Sequence, residues 1–148
     1  MTIRKIFCIF LCMLLPGMMA GCGKNSAADA SAANGIDIDL TSLSSTVVYS
    51  EVYNMMYAPE EYIGKTVKMD GLFSVYQDQS SGNNYFACVI QDAAACCAQG
   101  IEFQLTDDYV YPEDYLEVGD NISVVGVFDT YKEGDYQYCT LKNARLTG

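Results

Sequence analysis

The chain has 148 residues, 51% of them apolar, with 8 basic against 19 acidic residues and a net charge of −11. That length fits one domain, the apolar fraction is enough for a core, and disorder throughout is excluded. The acidic field repels a phosphate backbone, so general nucleic-acid binding is disfavoured. Histidine is absent, which removes the commonest general base and the commonest metal ligand together.

In chain order, Arg4 and Lys5 form a positive start, and Ile6 to Leu15 is an unbroken apolar run of ten residues. Such a run is the length of a signal-peptide core and too short to span a bilayer. Pro16-Gly17 breaks it, and Met19-Ala20-Gly21-Cys22 follows. This stretch resembles the bacterial lipobox, in which small residues precede a cysteine that becomes the acylated mature N-terminus. Met19 stands where that motif usually carries Leu. The resemblance implies a signal peptide over 1–21, lipidation at Cys22, and a protein held by lipid on the extracytoplasmic face of a membrane. Without Arg4 and Lys5 the mature part carries 6 basic against 19 acidic residues, or −13.

Residues 22–40 are assigned to a flexible tether, because Gly23 to Gly35 is rich in Ala, Ser, Asn and Gly without apolar periodicity. Ile36, Ile38 and Leu40 alternate with Asp37 and Asp39, which suggests a short extended piece at its end. The folded unit is placed at 41–148. It opens with a helix that Ser44 or Ser45 can cap and whose stripe is Leu43, Val48, Val52, Met55 and Met56. Pro59 ends that helix or starts a further turn, which Gly64 terminates.

From Thr66 the apolar period becomes two. Val67, Met69, Phe73 and Val75 share a face around Gly71, and a glycine inside a strand marks a bend or bulge. After the polar turn Gln77 to Asn84, a second strand runs from Tyr85 to Asp92. A loop over Ala93 to Gly100 leads to a third with Ile101, Phe103 and Leu105. Pro112 to Leu116 reads as a short helix or turn. The fourth strand holds Ile122, Val124, Gly126 and Phe128, and Gly134-Asp135 turns into a fifth from Tyr136 to Leu146. Five strands, the longest connection between the third and fourth, and mid-strand glycines in the first and fourth describe a mainly β, five-stranded OB-fold-like barrel with an N-terminal helix. Val118 to Gly126 is similar to the approach to the fourth strand in many OB-folds. "PEEYIGKTVKMDG" (Pro59 to Gly71) looks like the opening of small exported OB domains of the anticodon-binding type. The resemblance covers roughly 46–148. An SH3-type barrel and an open meander are the competing architectures. An OB barrel implies binding but not what is bound.

Five mature cysteines remain. With Cys22 assigned to lipid, Cys88, Cys96, Cys97 and Cys139 are left. Three readings stay open. An even count in an exported chain suggests disulfides, although neighbours such as Cys96 and Cys97 strain a bridge between themselves. Four thiolates also complete a tetrahedral zinc set without histidine. Buried cysteines also serve as small core residues. "FACVIQDAAACCAQG" (Phe86 to Gly100) is similar to a double-cysteine stretch in the OB-like subunit of a permease pair associated with zinc homeostasis, with Asp92 here ahead of the pair. Zinc and an envelope or transporter partner are what that resemblance implies. A thiol-redox role for Cys96 or Cys97 needs a depressed thiol pKa, and no Lys or Arg lies in their loop. Asp107-Asp108 and Glu113-Asp114 read as a solvated acidic loop, since the EF-hand spacing for calcium is absent. Tyr76, Tyr85, Tyr131, Tyr136 and Tyr138 fall on strands or hairpins and form a candidate binding face. No nucleophile has a histidine partner, so the expected role is a non-enzymatic binding or accessory module.

Overall fold

The computed structural model describes residues 35–147. The signal segment, Cys22 and most of the tether lie outside the described residues. Strand β1 is Ile38–Asp39, helix α1 is Ser45–Tyr57, and a 3-10 turn covers Pro59–Glu61. Strands β2 to β6 then run Thr66–Gln77, Asn84–Gln91, Ala98–Leu105, Asn121–Glu133 and Tyr136–Leu146. The fold is mainly β. Its order is β1-β2-β3-β4-β6-β5, and β5 pairs back onto β2, so the hydrogen bonding runs round a barrel-like ring.

Closure depends on β2 serving two neighbours. Its first half, Thr66 to Leu72, pairs with β5, and its second half, Leu72 to Gln77, pairs with β3. The strand changes partner at Gly71-Leu72. A methyl group on Gly71 would stand 2.6 Å from the Val89 carbonyl oxygen and 2.7 Å from Cys88 Sγ. Only a residue without a side chain allows that approach. Gly71→Ala should therefore destabilise the domain by about 1–3 kcal/mol through overpacking. A denaturant midpoint equal to that of the parent chain would mean that the bend relaxes freely.

Gly126 marks the second irregularity. The β5–β6 register shifts between Val125 and Val127, opposite Asn143, whose φ of 49° is a left-handed value that asparagine tolerates. β4 and β6 pair in parallel, which places the long 106–120 connection and β5 between them in sequence.

Period-two alternation buries Val67, Met69 and Phe73 from β2, Cys88 and Ile90 from β3, and Ile101 and Phe103 from β4. Ile122, Val124 and Phe128 of β5 and Leu141 of β6 complete the ring. Helix α1 packs at the β3–β4 hairpin end through Val52 and Met55, both fully buried. Burying two such side chains stabilises by about 1.5–3 kcal/mol each. Met56 of the expected stripe is instead exposed, at 37%, because the end of the ring meets only part of one helix face, and Leu43, 39% exposed, falls before the helix begins. Ser44 holds the N-cap position, but its hydroxyl makes no capping bond. At the opposite, open end of the hairpin, Tyr111 and Tyr115 of the long connection pack on Phe86, with ring centroids 5.0 and 4.5 Å away. That connection holds turns rather than a helix.

The tether boundary at residue 40 is corrected. Ile38 and Asp39 pair in parallel with Val67 and Lys68 of β2, and Leu40 is 1% exposed in the core. Alternation pointed to an extended piece, and the free edge of β2 recruits it. Two strand bounds also move: β3 ends at Gln91, and β4 starts at Ala98 within the expected loop.

Candidate functional site

The structure sends the four thiols to three places. Cys88 lies inside the ring against Gly71, where burial and then the Asp70 charge push its thiol up to about 12. Cys139 is half-buried under α1, with Sγ 3.9 Å from the Met55 carbonyl oxygen. Burial and then Glu102 raise its pKa. Cys96 and Cys97 are exposed in the β3–β4 loop, with Sγ atoms 3.6 Å apart. All four are free thiols. Thus no bonded pair exists among the described residues, and Cys88 and Cys139 do not join the loop cysteines.

A residue outside the expected set does join them. Asp92 Oδ2 accepts a hydrogen bond from Cys96 Sγ at 3.1 Å, and Asp92 Oδ1 accepts from the Cys96 amide at 2.9 Å. One ligand atom from each of Asp92, Cys96 and Cys97 lies within 4.8 Å of the other two. The carboxylate bond to Cys96 lowers the Asp92 pKa and raises that of Cys96. A raised thiol pKa opposes a redox role for Cys96, since the thiolate is the reactive form. The signal in sequence was Asp92 four residues before Cys96, a spacing that lets an aspartate bond the backbone of its own loop.

The tyrosines meet in two pairs. Tyr76 and Tyr85 have ring centroids 6.3 Å apart, and Tyr131 stacks on Tyr138 at 5.4 Å. Two glutamates tie the pairs down. The Tyr85 hydroxyl donates to Glu133 Oε1 at 2.9 Å, and the Tyr131 hydroxyl donates to Glu102 Oε2 at 2.6 Å. Tyr136 is 71% exposed at the hairpin tip, in register with Glu133. Tyr131 on β5 reaches Glu102 on β4 across the intervening β6. The residue in register with Glu102 there is Thr140, fully buried, with its hydroxyl unpartnered. Glu102 is partly buried, and that burial raises its pKa against the lowering bond from Tyr131. Burial, then the Glu102 hydrogen bond, raises the Tyr131 pKa. The Glu133 hydrogen bond raises the Tyr85 pKa as well, so both phenols stay protonated donors at neutral pH.

A groove of ≈ 350 Å³ beside this network is lined by Tyr85, Glu102, Gln104 and Tyr115 among others. Lys142 lies near the same strands but is engaged by Asp129 at 2.7 Å. Sequence reasoning missed Glu102 and Glu133. Parity could have found them: Glu102 lies between the inward Ile101 and Phe103, and Glu133 is two residues from Tyr131 on the same strand. The acidic loop residues Asp107, Asp108, Glu113 and Asp114 are all exposed, with Asp114 accepting from the Val110 amide at 2.8 Å.

No family model matches the chain, and no curated protein matches its sequence. A crystal structure from Klebsiella pneumoniae subsp. pneumoniae, described as a "putative nucleic acid-binding lipoprotein", is similar with a TM-score of 0.47 and 19% identity. The match covers 79% of this chain and 96% of that one. A likeness this loose says nothing about what this chain binds.

Proposed function

We propose that this chain is a lipid-anchored, extracytoplasmic, non-enzymatic binding module. Its barrel is of the OB type, and its tyrosine–glutamate face takes a cationic segment of an envelope protein. The ring order with a parallel β4–β6 pair supports the OB reading. The Cys22 lipobox supports the anchor. The observation that carries the ligand class is the pair of Tyr–Glu hydrogen bonds, which preset two carboxylates beside two aromatic pairs. A Lys or Arg head gains from the carboxylate charge and from the negative faces of the rings. The mature charge of −13 steers cations in and turns nucleic acid away.

The test is titration with a short Arg- and Lys-rich peptide, with single-stranded DNA as the counter-probe. Binding of the peptide should weaken with salt, and Glu102→Gln and Glu133→Gln should each cost about 1 kcal/mol, roughly fivefold in Kd. DNA should not bind. Equal peptide affinity for the parent chain and the double variant would place the cation elsewhere on the acidic surface and sink the proposal.

A further inference from the structure

We propose that Asp92, Cys96 and Cys97 form an open three-ligand site for a thiophilic divalent cation, with zinc the first choice. This rests on the β3–β4 loop and is independent of the tyrosine face. Two thiolates bound to one tetrahedral zinc at about 2.3 Å stand roughly 3.8 Å from each other. The two Sγ atoms are 3.6 Å apart before any cation arrives. The pair is therefore spaced as a chelate, and an S–S bond of about 2.05 Å would need the sulfurs to close in by much more. The third donor is Asp92 Oδ2, 3.1 Å from Cys96 Sγ.

The carboxylate is already oriented for this. Its Oδ1 accepts the Cys96 and Cys97 amides, which leaves Oδ2 on the thiol side. Holding a ligand by its other atom is the role that outer-shell bonds play at metal sites. Helix α1 is tied to β4 just after the loop, because Gln99 Nε2 donates to the Tyr49 carbonyl oxygen. The Tyr49 phenol lies near enough for Cys97, Asp92 and Cys96 to raise its pKa, after the larger effect of burial. Cys96 and Cys97 are exposed, so water can fill a fourth position, as at zinc sites that exchange a ligand. On binding, the cation replaces the two thiol protons, which leave to solvent. Two thiolates, one carboxylate and a dication leave the cluster with one negative charge. Such a site holds its cation exchangeably rather than as a structural staple.

The experiment uses the full-length chain in detergent with its cysteines reduced, titrated with zinc against a chromophoric chelator. One zinc per chain is expected. Cys96→Ser and Cys97→Ser should each weaken binding by at least about 100-fold, more than the loss of an outer-shell partner costs. Asp92→Asn should weaken it by about tenfold or more. Cys139→Ser should leave affinity unchanged, because Cys139 lies under α1 outside the cluster. In the parent chain, cobalt in place of zinc should show the intense visible bands of a tetrahedral thiolate site, and these should vanish in the Cys96→Ser and Cys97→Ser proteins. Zinc binding that survives in the Cys96→Ser, Cys97→Ser double variant would overturn the assignment. So would half an ion per chain, which means two chains sharing four thiolates. Binding of cuprous ion alone, indifferent to Asp92→Asn, would also overturn it, since that is a two-thiolate site for a different cation.

Discussion

Replacing Cys22 with Ala should abolish lipidation: incorporation of labelled palmitate should fall to background, and the protein should leave the membrane fraction or stay unprocessed. Only Cys22 follows a small-residue cleavage site behind a charged start and a ten-residue apolar run; the next cysteine is Cys88. The expected effect is large because the acyl chains are the proposed attachment. No helix among the described residues is long and apolar enough to cross a membrane. A mature charge of −13 is repelled by anionic lipid. Acyl chains, at roughly 0.8 kcal/mol per buried methylene, would supply the attachment. Palmitate entering the Cys22→Ala protein would show the anchor assignment to be wrong.

Leu40→Ala should cost the domain about 2–5 kcal/mol, the range for emptying a fully buried leucine site. Leu40 is 1% exposed among core residues that include Val52, Met55 and Val67. Its amide donates to the Lys68 carbonyl oxygen at 2.9 Å, which continues the β1–β2 pairing. Truncations locate the boundary from the other direction. A chain beginning at Ile36 should keep β-type circular dichroism and one cooperative melt. A chain beginning at Thr41 loses β1 and Leu40 together and should melt at lower temperature by more than Leu40→Ala alone. Equal melting of the two truncations would mean that residues 36–40 are tether after all. A loss of that size is a large share of the 5–15 kcal/mol that holds a typical domain.

The strands were legible because their signals are local. Val67, Met69 and Phe73, then Ile101 and Phe103, then Ile122, Val124 and Phe128, recur at period two, and all of them are buried. Gly71 and Gly126 were legible as irregularities for the same reason: a missing side chain shows in the residue itself. Cys88 shares the inward side of β3 with Ile90, two residues on. The helix was legible as a helix, but not which residues would meet the ring: Leu43 falls before its first turn, and Met56 differs from Met55 only in what lies opposite it.

The candidate sites were legible in part. Five tyrosines stand on strands and hairpins, yet the arrangement of Tyr85 and Tyr131 depends on Glu133 and Glu102. The Tyr131–Glu102 bond joins residues 29 apart across an intervening strand, and the Tyr85–Glu133 bond joins residues 48 apart. The four cysteines could be counted in sequence but not sorted. Sequence alone determined the inward residues Val67, Met69, Phe73, Ile101, Phe103, Ile122, Val124 and Phe128, because backbone periodicity acts over a few residues. The tertiary structure decided that β2 would use one edge for β1, that Cys88 and Cys139 would part from Cys96 and Cys97, and that glutamates would anchor the tyrosines. Those outcomes depend on how the strands coil as the ring closes, and no local pattern encodes a distance set by that closure.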